Sequence, residues 1–254
     1  MIKHFVSLSL FLLFFNGLVM GQKEIQIHQT ITTDKGFLEN KLTISNLFIK
    51  LQNSIITLTY EPQTTSIILV YHPLNIFWSG NSETFYHDAK RFSEFQKSKS
   101  LHEDSTKKKP IYLDTNWQFT KSSKKILPIN TQNYDVELWQ YADSSIEADL
   151  WLSSEIASQN RKELKEFWRL LNTLNHQLNN TFSISLGGLS NPHIHGFPLL
   201  FEYKNPIQNQ ISFKEEVIEI IEFPDQNLNE PMDPSCTALS FFDLLRSAET
   251  EKIK

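Results

Sequence analysis

The residues most suggestive of chemistry are His193-Ile194-His195. Residues two apart on a strand point to the same side, so both imidazoles would face one metal ion. Zinc then needs a third and usually a fourth ligand. His176, Asn191 and Glu202 are near in sequence but show no ligand spacing, and Asn191-Pro192 with Gly196 set the pair in a loop. The pair reads as part of a surface loop, with a metal-dependent hydrolase using His193 and His195 as one alternative. Cys236 would need a histidine from elsewhere to act as a nucleophile. No local signature surrounds it, and Asp233-Pro234-Ser235 reads as a turn, which favours a half-buried structural cysteine. Gly187-Gly188 has no phosphate-loop context, and neither Ser185 nor Ser190 sits in a G-x-S-x-G elbow. Glu215, Glu216, Glu219 and Glu222 read as a solvated outer face. The chain is therefore expected to be non-enzymatic, with no metal and no cofactor.

The aromatic load is the stronger signal. Phe77, Trp78, Trp139, Trp151, Phe167, Trp168, Phe197 and Phe201 fall on expected strands and on the main helix. One reading is core. The other is that Trp78, Trp139, Trp151, Phe167, Trp168, Leu171, Phe197 and Phe201 line an apolar cavity between sheet and helix. Such a lining, with few polar anchors, suits an acyl chain or another hydrophobic ligand.

These residues must be positioned by a β-rich chain. The organising stretch is Tyr134–Leu152, two alternating arms joined at Asp143-Ser144-Ser145. Tyr134, Val136 and Leu138 alternate with Asp135, Glu137 and Trp139. Ala148, Leu150 and Leu152 alternate with Glu147, Asp149 and Trp151. This pattern is expected to set both tryptophans opposite the aliphatic set. An amphipathic helix follows over Gln159–Leu178, with Leu164, Phe167, Trp168, Leu171, Leu174 and Leu178 on one face.

Upstream, Glu24–Thr33 reads as a strand with Gln29 as the polar exception among Ile25, Ile27 and Ile31. Lys41–Leu51 reads as two short strands with a phase change near Asn46, then Ser54–Tyr60 as another. Ser66–Trp78 reads as a strand buried on both faces and broken or bent at Pro73. Helical spacing appears over Glu83–Gln96, with Ser82 as its N-cap. Lys97–Pro110 reads as a charged loop, followed by short strands at Ile111–Thr120 and Lys125–Ile129. Downstream, Asn179–Pro192 reads as loop, Gly196–Lys204 and Ile211–Phe223 as strands, and Thr237–Ala248 as a short helix before a fraying end. The tally is α+β: helices packed on one face of a curved antiparallel sheet.

The first 21 residues carry Lys3, an apolar run over Phe5–Phe15, and Val19 and Gly21 where a signal peptidase requires small residues. Cleavage is expected before Gln22. Gln22 stands where a lipoprotein would carry its cysteine, so no lipid anchor is expected. Removing 21 of 254 residues leaves 233, read as one domain over 22–254. A net charge of −5 argues against nucleic acid and anionic membrane as partners. A single cysteine excludes an internal disulfide, which suits a bacterial periplasm better than an extracellular scaffold. No later stretch is long and apolar enough to span a bilayer.

Three segments together resemble a secreted bacterial family of unknown function, related in fold to the outer-membrane lipoprotein carriers LolA and LolB. They are YDVELWQYADSSIEADLWLSSEI, GFPLLFEYK and VIEIIEFPDQNLNEP, with the upstream meander ending in Phe77-Trp78. The resemblance covers roughly Glu24 to Pro234. It implies a half-barrel whose concave side is lined or lidded by helices. In the carriers that concavity binds acyl chains. Two departures are Glu137-Leu138-Trp139, where the family often carries a cysteine, and the length of the Lys97–Pro110 loop. The leading expectation is a periplasmic binding protein for a lipid, a lipoprotein acyl chain or another apolar ligand. The alternative is a cell-envelope interaction protein with a self-filled core and a protein partner.

Overall fold

The computed structural model describes residues 23–33, 36–100, 118–126, 133–142, 147–156, 161–178, 196–205, 210–224 and 235–251. The expected signal peptide, residues 101–110 of the charged loop, the Asp143-Ser144-Ser145 turn and the loop carrying Gly187-Gly188, His193 and His195 lie outside them. The described strands are β1 (Lys23–Thr33), β2 (Gly36–Ile44), β3 (Ile49–Gln52), β4 (Ile56–Glu61), β5 (Ser66–Tyr71) and β6 (Ile76–Asn81). Helix α1 (Ser82–Ser100) follows, then β7 (Gln118–Ile126), β8 (Tyr134–Ala142) and β9 (Glu147–Ser153). The chain continues through α2 (Arg161–Leu178), β10 (Phe197–Asn205), β11 (Gln210–Pro224), β12 (Thr237–Ala238) and α3 (Phe241–Glu251).

The twelve described strands form one curved, unclosed sheet, in the order β12-β6-β5-β4-β3-β2-β1-β11-β10-β9-β8-β7. Two antiparallel meanders meet where β1 pairs with β11. Among the described strands only β12 is parallel to its neighbour, β6. The expectation of a curved antiparallel sheet with helices is met at this level. Directly paired residues share a face, so register can be followed across the sheet. Ile220, Ile27, Leu42, Leu51, Leu58, Leu69 and Trp78 form one rung over seven strands. Every member is buried. That rung defines the helix face. The outer face carries Lys41, Lys50, Thr57 and Thr59 in alternation with it.

Several local expectations are corrected. Ser66–Trp78 is not one strand. Pro73 lies in a 3-10 turn over His72–Leu74, and the chain reverses so that β5 and β6 pair antiparallel. Only one face of β5 is buried. The cap of α1 is Asn81 rather than Ser82: Asn81 Oδ1 accepts the Thr84 N–H at 2.9 Å, as an N-cap side chain should. Lys97–Ser100 continue α1 instead of starting a loop. Gln118–Ile126 is continuous strand, irregular between Phe119 and Ser123, across the break expected between Ile111–Thr120 and Lys125–Ile129, whose residues 111–117 and 127–129 lie outside the described ones. Thr237-Ala238 are strand, not helix, and α3 begins at Phe241 and continues through Glu249–Glu251, where fraying was expected. Asn75, in the left-handed region at φ 52°, anchors that join. Its Nδ2 donates to Ser235 Oγ at 2.9 Å, its Oδ1 accepts from Cys236 Sγ at 2.9 Å, and its carbonyl accepts the Thr237 N–H at 3.0 Å. Cys236 is half-buried, as expected of a structural cysteine.

The helices hold to the N-terminal meander and to one another, and α2 also reaches the start of β10. Phe85 of α1 and Phe241 of α3 stack at 4.6 Å, and both pack on Trp78. Tyr86 of α1 donates its hydroxyl to Glu166 of α2 at 3.1 Å, and Gln177 of α2 donates to Ser93 at 2.8 Å. Phe241, Leu244 and Leu245, the expected apolar side of α3, are fully buried.

Tyr71 of β5 joins this network through Glu251 at the end of α3. Burial, then the Glu251 charge and hydrogen bond, push its hydroxyl up to about 12. The folded state therefore holds this proton more tightly than the unfolded chain, whose tyrosines titrate near 10. The stability that Tyr71 contributes is full below about pH 10 and is lost as pH rises toward 12. Tyr71→Phe is expected to shallow the loss of stability over that window, read as urea midpoints at successive alkaline pH values.

Candidate ligand-binding face

The structure separates the eight residues expected to line a cavity. Trp78 lies in the rung under α1 and α3. Phe167, Trp168 and Leu171 are buried on α2, and Trp168 reaches Phe197 at the start of β10, with ring centroids 6.3 Å apart. Phe201 of β10 packs against Phe213 of β11 at 5.7 Å. Trp139 of β8 is half-buried beside Phe119 at 5.6 Å.

Trp151 is on the other side of the sheet. Trp139 pairs with Leu150, whereas Trp151 pairs with Leu138. An odd-numbered residue of the first arm thus meets an even-numbered residue of the second. Each tryptophan shares a face with the other arm's aliphatics, and the two tryptophans face opposite ways. The expectation that both oppose a common aliphatic set is wrong for this reason. On the outer face the Lys124 ammonium lies over the Trp151 ring, 3.9 Å from its centroid.

A second rung crosses the C-terminal meander on the helix face. It runs Trp139–Leu150–Phe201–Glu215–Ile31–Leu38. At the usual strand spacing, Trp139 to Glu215 spans about 14 Å. Ala148, Tyr141, Tyr203 and Phe213 flank it on the same face. Its outer end is open: Phe119 is 45% exposed and Trp139 half-buried. The Trp139 indole nitrogen is itself buried without a hydrogen-bond partner.

Its inner end is polar. Glu215 was expected in a solvated acidic face with Glu216, Glu219 and Glu222, but it is 2% exposed and pairs with Ile31 and Phe201. Glu215 and Glu216 face opposite ways as strand neighbours do, and a bulge of β11 at Ile218, where Gln29 pairs with Val217 and His28 with Glu219, turns Glu219 to the outer face as well. Glu216 and Glu219 remain outside, paired with Lys214 at 2.6 Å and His28 at 3.4 Å. Gln29 sits diagonal to Glu215 and directly opposite Asn40. Asn53 Nδ2 donates to Asn40 Oδ1 at 3.0 Å. Gln29 and Asn40 are each 2% exposed, and Gln29 Oε1 has no hydrogen-bond partner. A row of carboxylate and amides therefore crosses an apolar face where the two meanders meet. Of this row, the sequence marks Gln29 as an interruption of an isoleucine alternation and Glu215 only as part of a solvated face, and it marks neither Asn40 nor Asn53.

No group of three or more histidine, cysteine, aspartate or glutamate side chains able to hold a metal occurs among the described residues. None of the described helices is long and apolar enough to cross a membrane. A separate groove of ≈ 420 Å³ lies against α3, lined by Leu74, Asp243, Arg246, Ser247, Thr250 and Glu251. Its charged lining suits no apolar ligand.

No family model and no curated protein matches the sequence. Among solved structures the chain is similar to "Structure of PNGF-II in C2 space group", with 10% identity and a TM-score of 0.39 over 89% of this chain. It spans 33% of that chain's length. A likeness at this level carries no argument about activity.

Proposed function

We propose that this protein is an exported, non-enzymatic carrier that holds a lipid, an acyl chain or another apolar ligand inside a LolA-like half-barrel. The observation that carries the reading is the apolar rung Trp139–Leu150–Phe201, open at Phe119 and Trp139 and buried from Leu150 to Glu215. Chain economy supports it as well. The helix–sheet aromatic packing at Trp78 belongs to the N-terminal meander, while the C-terminal meander carries aromatic residues on a face with one open end. A concave apolar surface with few polar anchors is what an alkyl chain requires. Periplasmic location follows from reading residues 1–21 as a signal peptide and from the single cysteine.

Native mass spectrometry of the purified protein, with organic extraction of whatever it carries, tests this reading. The expected result is a co-purified or readily taken up alkyl ligand in a one-to-one complex. A protein that neither carries nor takes up any alkyl ligand would overturn it.

A further inference from the structure

We infer that the ligand is an amphiphile whose head presents N–H or O–H donors, held by Gln29 and Glu215 at the inner end of the apolar rung. The inference rests on the carrier reading and adds the class of head group to it. Its starting point is an unmet acceptor. Gln29 is 2% exposed, and its Oε1 is buried without a partner. A buried polar atom left unbonded costs about 1–3 kcal/mol, so the position is unfavourable unless something supplies a donor. Glu215, on the diagonal and equally buried, can only accept when ionised. Diagonal neighbours on paired strands have Cβ atoms about 7–8 Å apart, so one small head group lies within reach of both side chains.

The surroundings set the rest of the ligand. Phe201 and Leu150 continue from Glu215 toward Trp139, so a tail attached to that head would run along apolar side chains. Asn40 and Asn53 close the opposite side with their own hydrogen bond. An amide, an amine or a hydroxyl head satisfies Gln29. An ester or a hydrocarbon end leaves its oxygen unmet. A carboxylate head, which can only accept, likewise leaves that oxygen unmet.

The test uses the full-length protein and three ten-carbon probes: decanamide, methyl decanoate and decanoate. The first two are neutral, so the protein's net negative charge does not distinguish them. Decanamide is expected to bind at least about tenfold tighter than methyl decanoate, the equilibrium equivalent of one satisfied acceptor. Decanoate should be weaker than decanamide at neutral pH. Gln29→Met, which removes the orphan oxygen, is expected to abolish the amide preference while leaving the thermal midpoint unchanged or higher. Equal binding of amide and ester by the wild-type protein would overturn the head-group assignment and leave the carrier reading standing. So would an amide preference that persists in folded Gln29→Met. Failure of all three probes to bind would overturn the carrier reading and this inference with it.

Discussion

Trp78→Ala is expected to lower the unfolding free energy by about 3–5 kcal/mol, the range for truncating a large buried aromatic. Trp78 is 5% exposed and ends the rung that crosses seven strands. It is also where three elements converge, since Phe85 lies 5.9 Å and Phe241 5.0 Å from its ring. Removing the indole leaves a cavity lined by rings on two helices that cannot both close onto the strand. The same geometry explains Gly80. A Cβ added there would stand 2.3 Å from the Trp78 ring, so the glycine is the space into which the indole folds. Gly80→Ala should therefore destabilise the wild-type protein and cost much less in the Trp78→Ala background. That non-additivity is the mark of residues sharing one volume. Urea unfolding of the two single variants and the double variant measures it. Additive losses would mean that the indole does not lie over Gly80.

The second large effect is on binding. Trp139→Ala is expected to weaken decanamide binding about tenfold to a hundredfold, from the loss of one aromatic wall worth about 1.5–3 kcal/mol of apolar burial. Its cost to stability should be well below that of Trp78→Ala, because Trp139 is only half-buried and its nearest ring, Phe119, is itself 45% exposed. Trp151→Ala is the matched control. Trp151 lies on the outer face beneath Lys124, so its removal should leave decanamide affinity unchanged. Isothermal titration of both variants gives the comparison. Equal losses would place the ligand away from the helix face of β8 and β9.

How much of this was legible beforehand depends on the range of the signal. Alternation within a strand is local, and it located nearly every strand, from Ile25–Ile27–Ile31 to Phe197–Tyr203. Helical spacing located α1 and α2 and the buried side of α3. Pairing between strands is not local. Whether Trp139 and Trp151 share a face is decided by whether odd residues of one arm meet odd or even residues of the other, and neither arm alone encodes that. The bulge at Ile218 is equally hidden. In Val217–Phe223 the apolar residues are too continuous to show that Glu219 turns away from the face of Glu215, so the glutamates read as one solvated side although Glu215 points inward with Phe213 and Val217. Asn40 and Asn53 resemble ordinary turn-flanking polar residues until the register brings Asn40 opposite Gln29. Gln29 was the visible clue, since a polar residue in the middle of an isoleucine alternation requires a partner on the same buried face.

The central claim is that an alkyl ligand lies on the helix face of the C-terminal meander. Methyl NMR of the full-length protein labelled at leucine tests it most directly, because Leu150 lies within the proposed path and Leu58 and Leu69 lie in the rung beneath the helices. Titration with decanamide should shift the Leu150 methyl signals to saturation at one equivalent and leave those of Leu58 and Leu69 in place. Unmoved Leu150 signals at saturating ligand, or equal shifts at all three leucines, would contradict it.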